Sequence, residues 1–321
     1  MTLPAKFREN LVLPAFCAPM FLVSTPELVR EACLAGIIGG LPRQNARSLE
    51  MFEDWLRSIH EARTRAEGEG RRKGVLAVNM ASNLPPDEFD ANIALCARYG
   101  VEIIVSALGN PAELTRRAHD VGMVVYADAV NLRHAEKSIA AGVDGITAIG
   151  AGGGGHSGIV SHFAFVPKLR TMFDGTIVMA GALSDGASIR AAEVLGADLA
   201  YLGTRFIATQ ESGAAPEYKA MLVSERADDL LYTPAIAGVA ANWMKASMRA
   251  VGLDPDNLPP APKKMSYAHL PDGVKPWKNL WSAGQGVELI DDVPAVADLV
   301  QRLRRDYDAA CAVPAFSGRQ D

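Results

Sequence analysis

The segment Gly150-Ala151-Gly152-Gly153-Gly154-Gly155-His156-Ser157-Gly158 presents one imidazole in a stretch almost bare of side chains. Ordering so many glycines costs backbone entropy, so a planar or anionic group is expected to lie against this loop. Histidine gains and loses its proton near neutral pH, which makes His156 a candidate base for removing a proton from a bound molecule. A lone histidine is as a rule structural. Its delivery by a glycine loop, at the position derived below, favours chemistry.

Two further glycine turns follow, Ala180-Gly181-Ala182-Leu183-Ser184-Asp185-Gly186 and Leu202-Gly203-Thr204-Arg205-Phe206. Each puts a glycine where the backbone can approach a ligand. Thr204 adds a hydroxyl beside amides at a helix start, an arrangement that favours an anion such as phosphate. Either turn alone could serve only to reverse the chain; the two together favour phosphate binding. Cys17-Ala18-Pro19-Met20 and Val78-Asn79-Met80 supply further candidates. Asn79 offers a donor and an acceptor to the edge of a heterocycle, and Met20 a polarisable group to pack beside a ring. Each alone reads equally as ordinary packing or a loop cap.

The elements that must position these residues are βα units. Between residues 12 and 205, short β-rich runs alternate with longer amphipathic stretches. The strand candidates are 11–18, 37–39, 74–79, 102–106, 123–127, 145–149, 176–180 and 199–202. Cap signals open several helices, at Ser24-Thr25-Pro26-Glu27, Asn110-Pro111 and Ser184-Asp185, and glycine ends others, at Gly36, Gly100, Gly122, Gly142 and Gly196. Eight such repeats close a (β/α)8 TIM barrel. A doubly wound sheet is the alternative, but no glycine fingerprint follows the first strand, where a dinucleotide fold needs one. In a barrel the glycine loops fall after strands six, seven and eight, at the face where barrel active sites are built and where phosphate is often held.

After residue 206 the chain turns rich in Pro, Gly, Trp and Met, with the run Pro259-Pro260-Ala261-Pro262. Residues 213–292 are expected to form an insertion between strand eight and the final helix that covers the C-terminal face, without a core of its own. Residues 294–312 are expected to be the final helix of a single domain spanning 1–321.

With 321 residues, 49% of them hydrophobic, the chain can bury a large core. The net charge of −5 and a pI near 5.7 give no basic face for nucleic acid. No apolar run reaches the roughly 18 residues of a membrane span, so a soluble, cytoplasmic protein is expected. Cys17, Cys33, Cys96 and Cys311 form no CxxC pair and read as reduced, buried residues and not as a metal site.

Four segments in order carry a resemblance: Pro14-Ala15-Phe16-Cys17-Ala18-Pro19-Met20, Gly154-Gly155-His156-Ser157-Gly158, Ala180-Gly181-Ala182-Leu183-Ser184-Asp185-Gly186 and the run from Gly203 to Ser212. Together they resemble the nitronate monooxygenase (2-nitropropane dioxygenase) family over about residues 11–286. The resemblance implies an FMN-containing TIM barrel that oxidises alkyl nitronates with dioxygen to a carbonyl compound and nitrite. His156 matches the family's catalytic histidine. Met20, Asn79, Gly154, Gly181, Gly203 and Thr204 are implied to surround FMN, with Ala18, Pro19, Gly155 and Ala182 beside them. Asn242, Trp243 and Gln285 fall in the part that caps the flavin and are assigned to the substrate side.

The chain departs from the family at two places. Many members carry Gln-Gly-x-Glu-Ala before Gly-Gly-His, where this chain has Ile149-Gly150-Ala151-Gly152-Gly153. Some place a lysine after strand five, where this chain has Asp128. Two other functions stand beside the first: an NAD(P)H-dependent flavin reductase acting on quinones or enoyl thioesters, and a non-catalytic flavin- or phosphate-binding barrel. Nothing in the sequence marks a nicotinamide site.

Overall fold

In the computed structural model, which describes residues 3–314, the β-rich runs form β1 (Ala15–Cys17), β2 (Ile38–Pro42), β3 (Val75–Ala81), β4 (Ile103–Ala107), β5 (Val124–Ala129) and β6 (Gly145–Ile149). The two-residue β7 (Gly155–His156), β8 (Thr176–Ala180), β9 (Leu199–Leu202), β10 (Leu230–Thr233) and β11 (Ala241–Met244) follow. All of these except β7, β10 and β11 pair in parallel in the order β1-β2-β3-β4-β5-β6-β8-β9, and β9 returns to β1 to close a barrel. That closure excludes the doubly wound sheet and makes the fold a (β/α)8 TIM barrel.

Local sequence sets the helix starts. Thr25 caps Pro26–Leu34 by accepting from the Leu28 amide, and Asn131 and Asp185 cap Leu132–Ala140 and Gly186–Leu195 in the same way. Gly196 ends the last of these in the left-handed conformation, φ +105°, that the turn into β9 requires. The final helix, Val296–Cys311, packs against Gly186–Leu195 and Pro26–Leu34 and closes the outer ring. At this contact a Cβ on Gly186 would lie 2.2 Å from the Tyr307 nitrogen and 2.3 Å from the Leu303 oxygen. Both are backbone atoms, so the helices would have to separate. Gly186→Ala is expected to destabilise the protein by about 1–3 kcal/mol, read as a lower denaturant midpoint; an unchanged midpoint would contradict so close a helix pair.

Inside the barrel the alternation of strand side chains matters most. Phe16, Ala77, Val105, Tyr126 and Val178 fill the lower interior, with Tyr201 packed on them, and Leu3, Phe7 and Leu11 belong to the same cluster. Two residues further along each of these strands, the same face carries Ala18, Asn79, Ala107, Asp128, Ala180 and Gly203. The bulky filling therefore stops one layer below the C-terminal mouth. Small residues above it leave a space.

Segment 213–292 contributes the helix Pro216–Ser224, β10, β11 and the helix Lys245–Ala250. β10, β11 and β7 form a separate three-stranded antiparallel sheet. The segment also holds an apolar cluster of its own, including Ile236, Trp243, Met248 and Leu280, where the sequence reading expected none. Cys17, Cys33 and Cys96 are buried as expected, but Cys311 is exposed. It ends the final helix beyond the packed stripe of Val296, Leu299, Val300 and Leu303. Among the described residues, no helix is long and apolar enough to cross a membrane.

Candidate active site

The space above the barrel filling is a cavity of about 310 Å³, at the lower end of the range of roughly 300–1,000 Å³ for small-molecule and cofactor sites. Ala18, Pro19, Met20, Asn79, Gly154, Gly155, His156, Gly181, Ala182, Gly203 and Thr204 all line it. The structure thus brings together segments that are far apart in sequence, at the strand ends where barrel chemistry is built.

The glycine-rich loop is held by the inserted segment. Gly155 and His156 pair with Asn242 and Ala241. The Asn242 amide donates from Nδ2 to the Gly153 oxygen (2.7 Å), and the Gln285 N–H donates to the Gly152 oxygen (2.8 Å). Tyr232 donates its hydroxyl to the Ser157 oxygen (2.8 Å). These crossings account for most of the glycines without any ligand. A Cβ on Gly154 would lie 2.8 Å from the Gly284 nitrogen, and one on Gly158 2.6 Å from the Val130 oxygen. The expectation that a ligand lies against the whole loop is therefore corrected to Gly153, Gly154, Gly155 and His156, the part that lines the cavity.

His156 is half-buried, and its Nε2 is buried with no partner in the protein. Burial lowers its pKa below the ordinary histidine value, which favours the neutral ring. Trp277 meets it edge-on with ring centroids 5.3 Å apart, and Trp243 backs Trp277 at 5.1 Å. Trp243 is fully buried and Asn242 nearly so, while Gln285 is exposed, and none of the three lines the cavity. Their observed work is to hold the loop and the indole beside His156. At the departure from the family pattern, a Cβ on Gly152 would lie 2.8 Å from Gln285 Oε1, so the Gln285 carboxamide fills the space a side chain would take there.

The β8 turn is strained in a way the sequence does not announce. Gly181 has φ +128° and Ala182 φ +58°, a left-handed value that is uncommon for a residue with a side chain. Beneath it lies His162, buried, with neither ring nitrogen in a well-formed hydrogen bond and its pKa lowered by burial against an upward pull from the Gly181 backbone. Its Cε1 stands 2.5 Å from where a Gly150 Cβ would be, and its Nε2 2.9 Å from that of Gly181. Sequence reasoning missed His162, because only the two glycines reveal that its helix start is enclosed.

At the β9 turn a Cβ on Gly203 would meet nothing closer than the Met20 sulfur at 3.7 Å, so the space beside it belongs to the cavity. Thr204 Oγ1 accepts from the Gly284 N–H (2.9 Å) and keeps its own proton to donate. Asn79 accepts at Oδ1 from Gln44 Nε2 and donates from Nδ2 to the Val105 oxygen, both at 3.2 Å. Asp128 and Tyr201 complete the floor. Burial pushes the Asp128 carboxyl from an ordinary value of 3.8 up to about 7, against a downward pull from the Thr147 hydroxyl.

A closed parallel barrel whose C-terminal mouth opens into a cofactor-sized cavity, walled by an imidazole that burial biases to neutral and by the glycine turns after β8 and β9, defines a barrel enzyme. Residues 44–306 match the nitronate monooxygenase family. The nitronate monooxygenase of Paraburkholderia phytofirmans is 32% identical, over 91% of this chain and 92% of its own. Two solved structures share the fold. A nitroalkane oxidase from Streptomyces ansochromogenes has a TM-score of 0.73 at 24% identity, over 94% of this chain and 98% of that one. FabK from Thermotoga maritima has a TM-score of 0.72 at 21% identity, over 97% and 98%. The chain belongs to the nitronate monooxygenase family, a family of flavin-dependent oxidoreductases.

Proposed function

We propose that this chain uses FMN to oxidise alkyl nitronates, and nitroalkanes once deprotonated, with dioxygen, giving a carbonyl compound and nitrite. Two features of the cavity fit a flavin with a single phosphate. The open space at Gly203 adjoins the Thr204 hydroxyl proton at the start of the helix Thr204–Ile207, where the Phe206 and Ile207 amides already donate to the Gly203 oxygen and those of Thr204 and Arg205 have no acceptor within the helix. Among the described residues lining the cavity there is no lysine or arginine, so amide dipoles and this hydroxyl would hold the phosphate. The floor of small residues suits a planar ring, and the cavity's modest volume suits a mononucleotide better than a dinucleotide.

Bound FMN supplies the redox chemistry, carrying electrons from substrate to dioxygen. The chain's own residues bind, orient and move a proton. His156, biased to its neutral form by burial, takes the proton from the carbon that bears the nitro group. Trp277 fixes the plane of the imidazole, and Met20, Tyr218 and Trp277 form walls that limit water at the reacting carbon.

The half-buried imidazole of His156 among the residues lining the cavity, with no protein partner at Nε2, is the observation that carries this reading. The purified protein is expected to have a flavin spectrum and to consume oxygen with nitronates. Absence of a flavin spectrum and of FMN uptake would overturn it. Anaerobic bleaching by NADH or NADPH, but not by any nitronate, would replace it with the flavin reductase.

A further inference from the structure

The cavity floor contains one acidic side chain that the reaction above does not use. Asp128 ends the inward face of β5, two residues above Tyr126; the matching positions on β1, β3, β4, β8 and β9 are alanine, glycine or asparagine, and β6 brings Thr147 and Ile149 beside it. Its Oδ1 is buried and seated in no well-formed hydrogen bond, and the Thr147 hydroxyl, its register partner on β6, is the one neighbouring donor, whose downward pull on the carboxyl is outweighed by burial. Asn79, the other polar floor residue, has both ends of its amide engaged. An ionised carboxyl enclosed with at most one hydroxyl donor and no counter-charge is costly, unless the group is neutral or a ligand completes it.

We propose that Asp128 is held as a carboxylic acid and donates its proton in a hydrogen bond to an acceptor on the bound flavin ring, so that its ionisation opposes flavin reduction. The inference rests on the reading that the cavity holds a flavin.

The groups facing Asp128 leave it no counter-charge. Thr147 on β6 is uncharged, and Tyr201 on β9 is itself driven toward its neutral form by burial and by Asp128. Across the cavity, His156 on β7 is biased to neutral by burial, and Tyr218 of the helix Pro216–Ser224 is also held neutral by burial. Among the described residues lining the cavity there is no lysine or arginine to stabilise a carboxylate. The carboxyl therefore titrates close to neutrality, with burial as the main cause. Below that pH it is a donor at the cavity floor. Above it, the site holds a negative charge where reduction adds another, in surroundings that screen poorly.

The test is the reduction potential of the bound flavin, measured against pH in the wild-type holoenzyme and in Asp128→Asn, which keeps the shape and a donor but cannot ionise. The reduced-to-oxidised ratio of the wild type, at fixed potential, is expected to fall relative to the variant by about tenfold or more from about pH 6 to pH 8. Parallel curves would overturn the proposal. Should the variant not retain flavin, the apoproteins decide: a wild-type stability that falls against the variant as pH rises supports a buried acid, and a pH-independent difference overturns it. Neither measurement needs nitronate or turnover. A protein without flavin fails the functional reading, whereas flavin with parallel curves fails only this one.

Discussion

His156→Asn is expected to lower kcat/KM for a neutral nitroalkane by about 10²–10⁴-fold, the range a positioned general base contributes, while bound flavin and turnover of the preformed nitronate change far less. Asparagine retains the β7 pairing to Ala241, which is made by backbone, so the cavity wall should survive. What is lost is the basic nitrogen. A nitronate arrives already deprotonated and does not need it. The pH profile gives a second reading with a definite sign. Burial lowers the His156 pKa, so the base form persists to pH values below the ordinary 6.5, and wild-type activity on nitroalkanes should fall only on further acidification. The variant should lose that acid limb. An equal fall for both substrates would make His156 a binding or positioning residue, and undiminished turnover of both would remove it from the mechanism.

The barrel was legible because its signals are local and repeated. Strand alternation, helix caps and returning glycines recur in each unit, and β6, β8 and β9 fall at the residues their composition indicates. Where a boundary moved, tertiary packing moved it: the apolar run from residue 11 pairs as a strand only over Ala15–Cys17, because Leu11 joins Leu3 and Phe7 in the cluster within the barrel. The small sheet was not legible. β7 is a glycine and a histidine with no periodicity, and it exists only because β11, far along the chain, pairs with it. A glycine also does not disclose what approaches it. Gly203 leaves space for a ligand, while Gly154 makes way for Gly284 of the same chain. For the same reason Asn242, Trp243 and Gln285 read as substrate-facing in one dimension, yet they grip or buttress the loop in three. Asp128 stood out only as a departure from the family pattern. That its oxygen is enclosed without a counter-charge depends on Thr147 and Tyr201, which other strands supply.

Asp128→Asn is expected to stabilise the apoprotein against the wild type by an amount that grows with pH, adding about 4 kcal/mol between pH 4 and pH values above 7. The sign follows from linkage. The folded-state pKa is raised, from 3.8 to about 7, so across this window the folded chain holds a proton that the unfolded chain has released. Stability conferred by the protonated carboxyl is complete below the unfolded value and is lost as pH rises through the folded one. Carboxylates with lowered pKa, such as Asp292 beside Arg302 and Arg205, act with the opposite sign, but they are common to both proteins and cancel in the comparison. Any constant cost of the amide also cancels, because only the slope is read. Denaturant unfolding of flavin-free protein at a series of pH values would measure it. A flat difference would mean that water or a shifted side chain completes the Asp128 carboxylate in the folded apoprotein. A rising one would mean that this barrel carries, at its cavity floor, a group that weakens the fold at neutral pH, as a residue kept for binding and not for stability would.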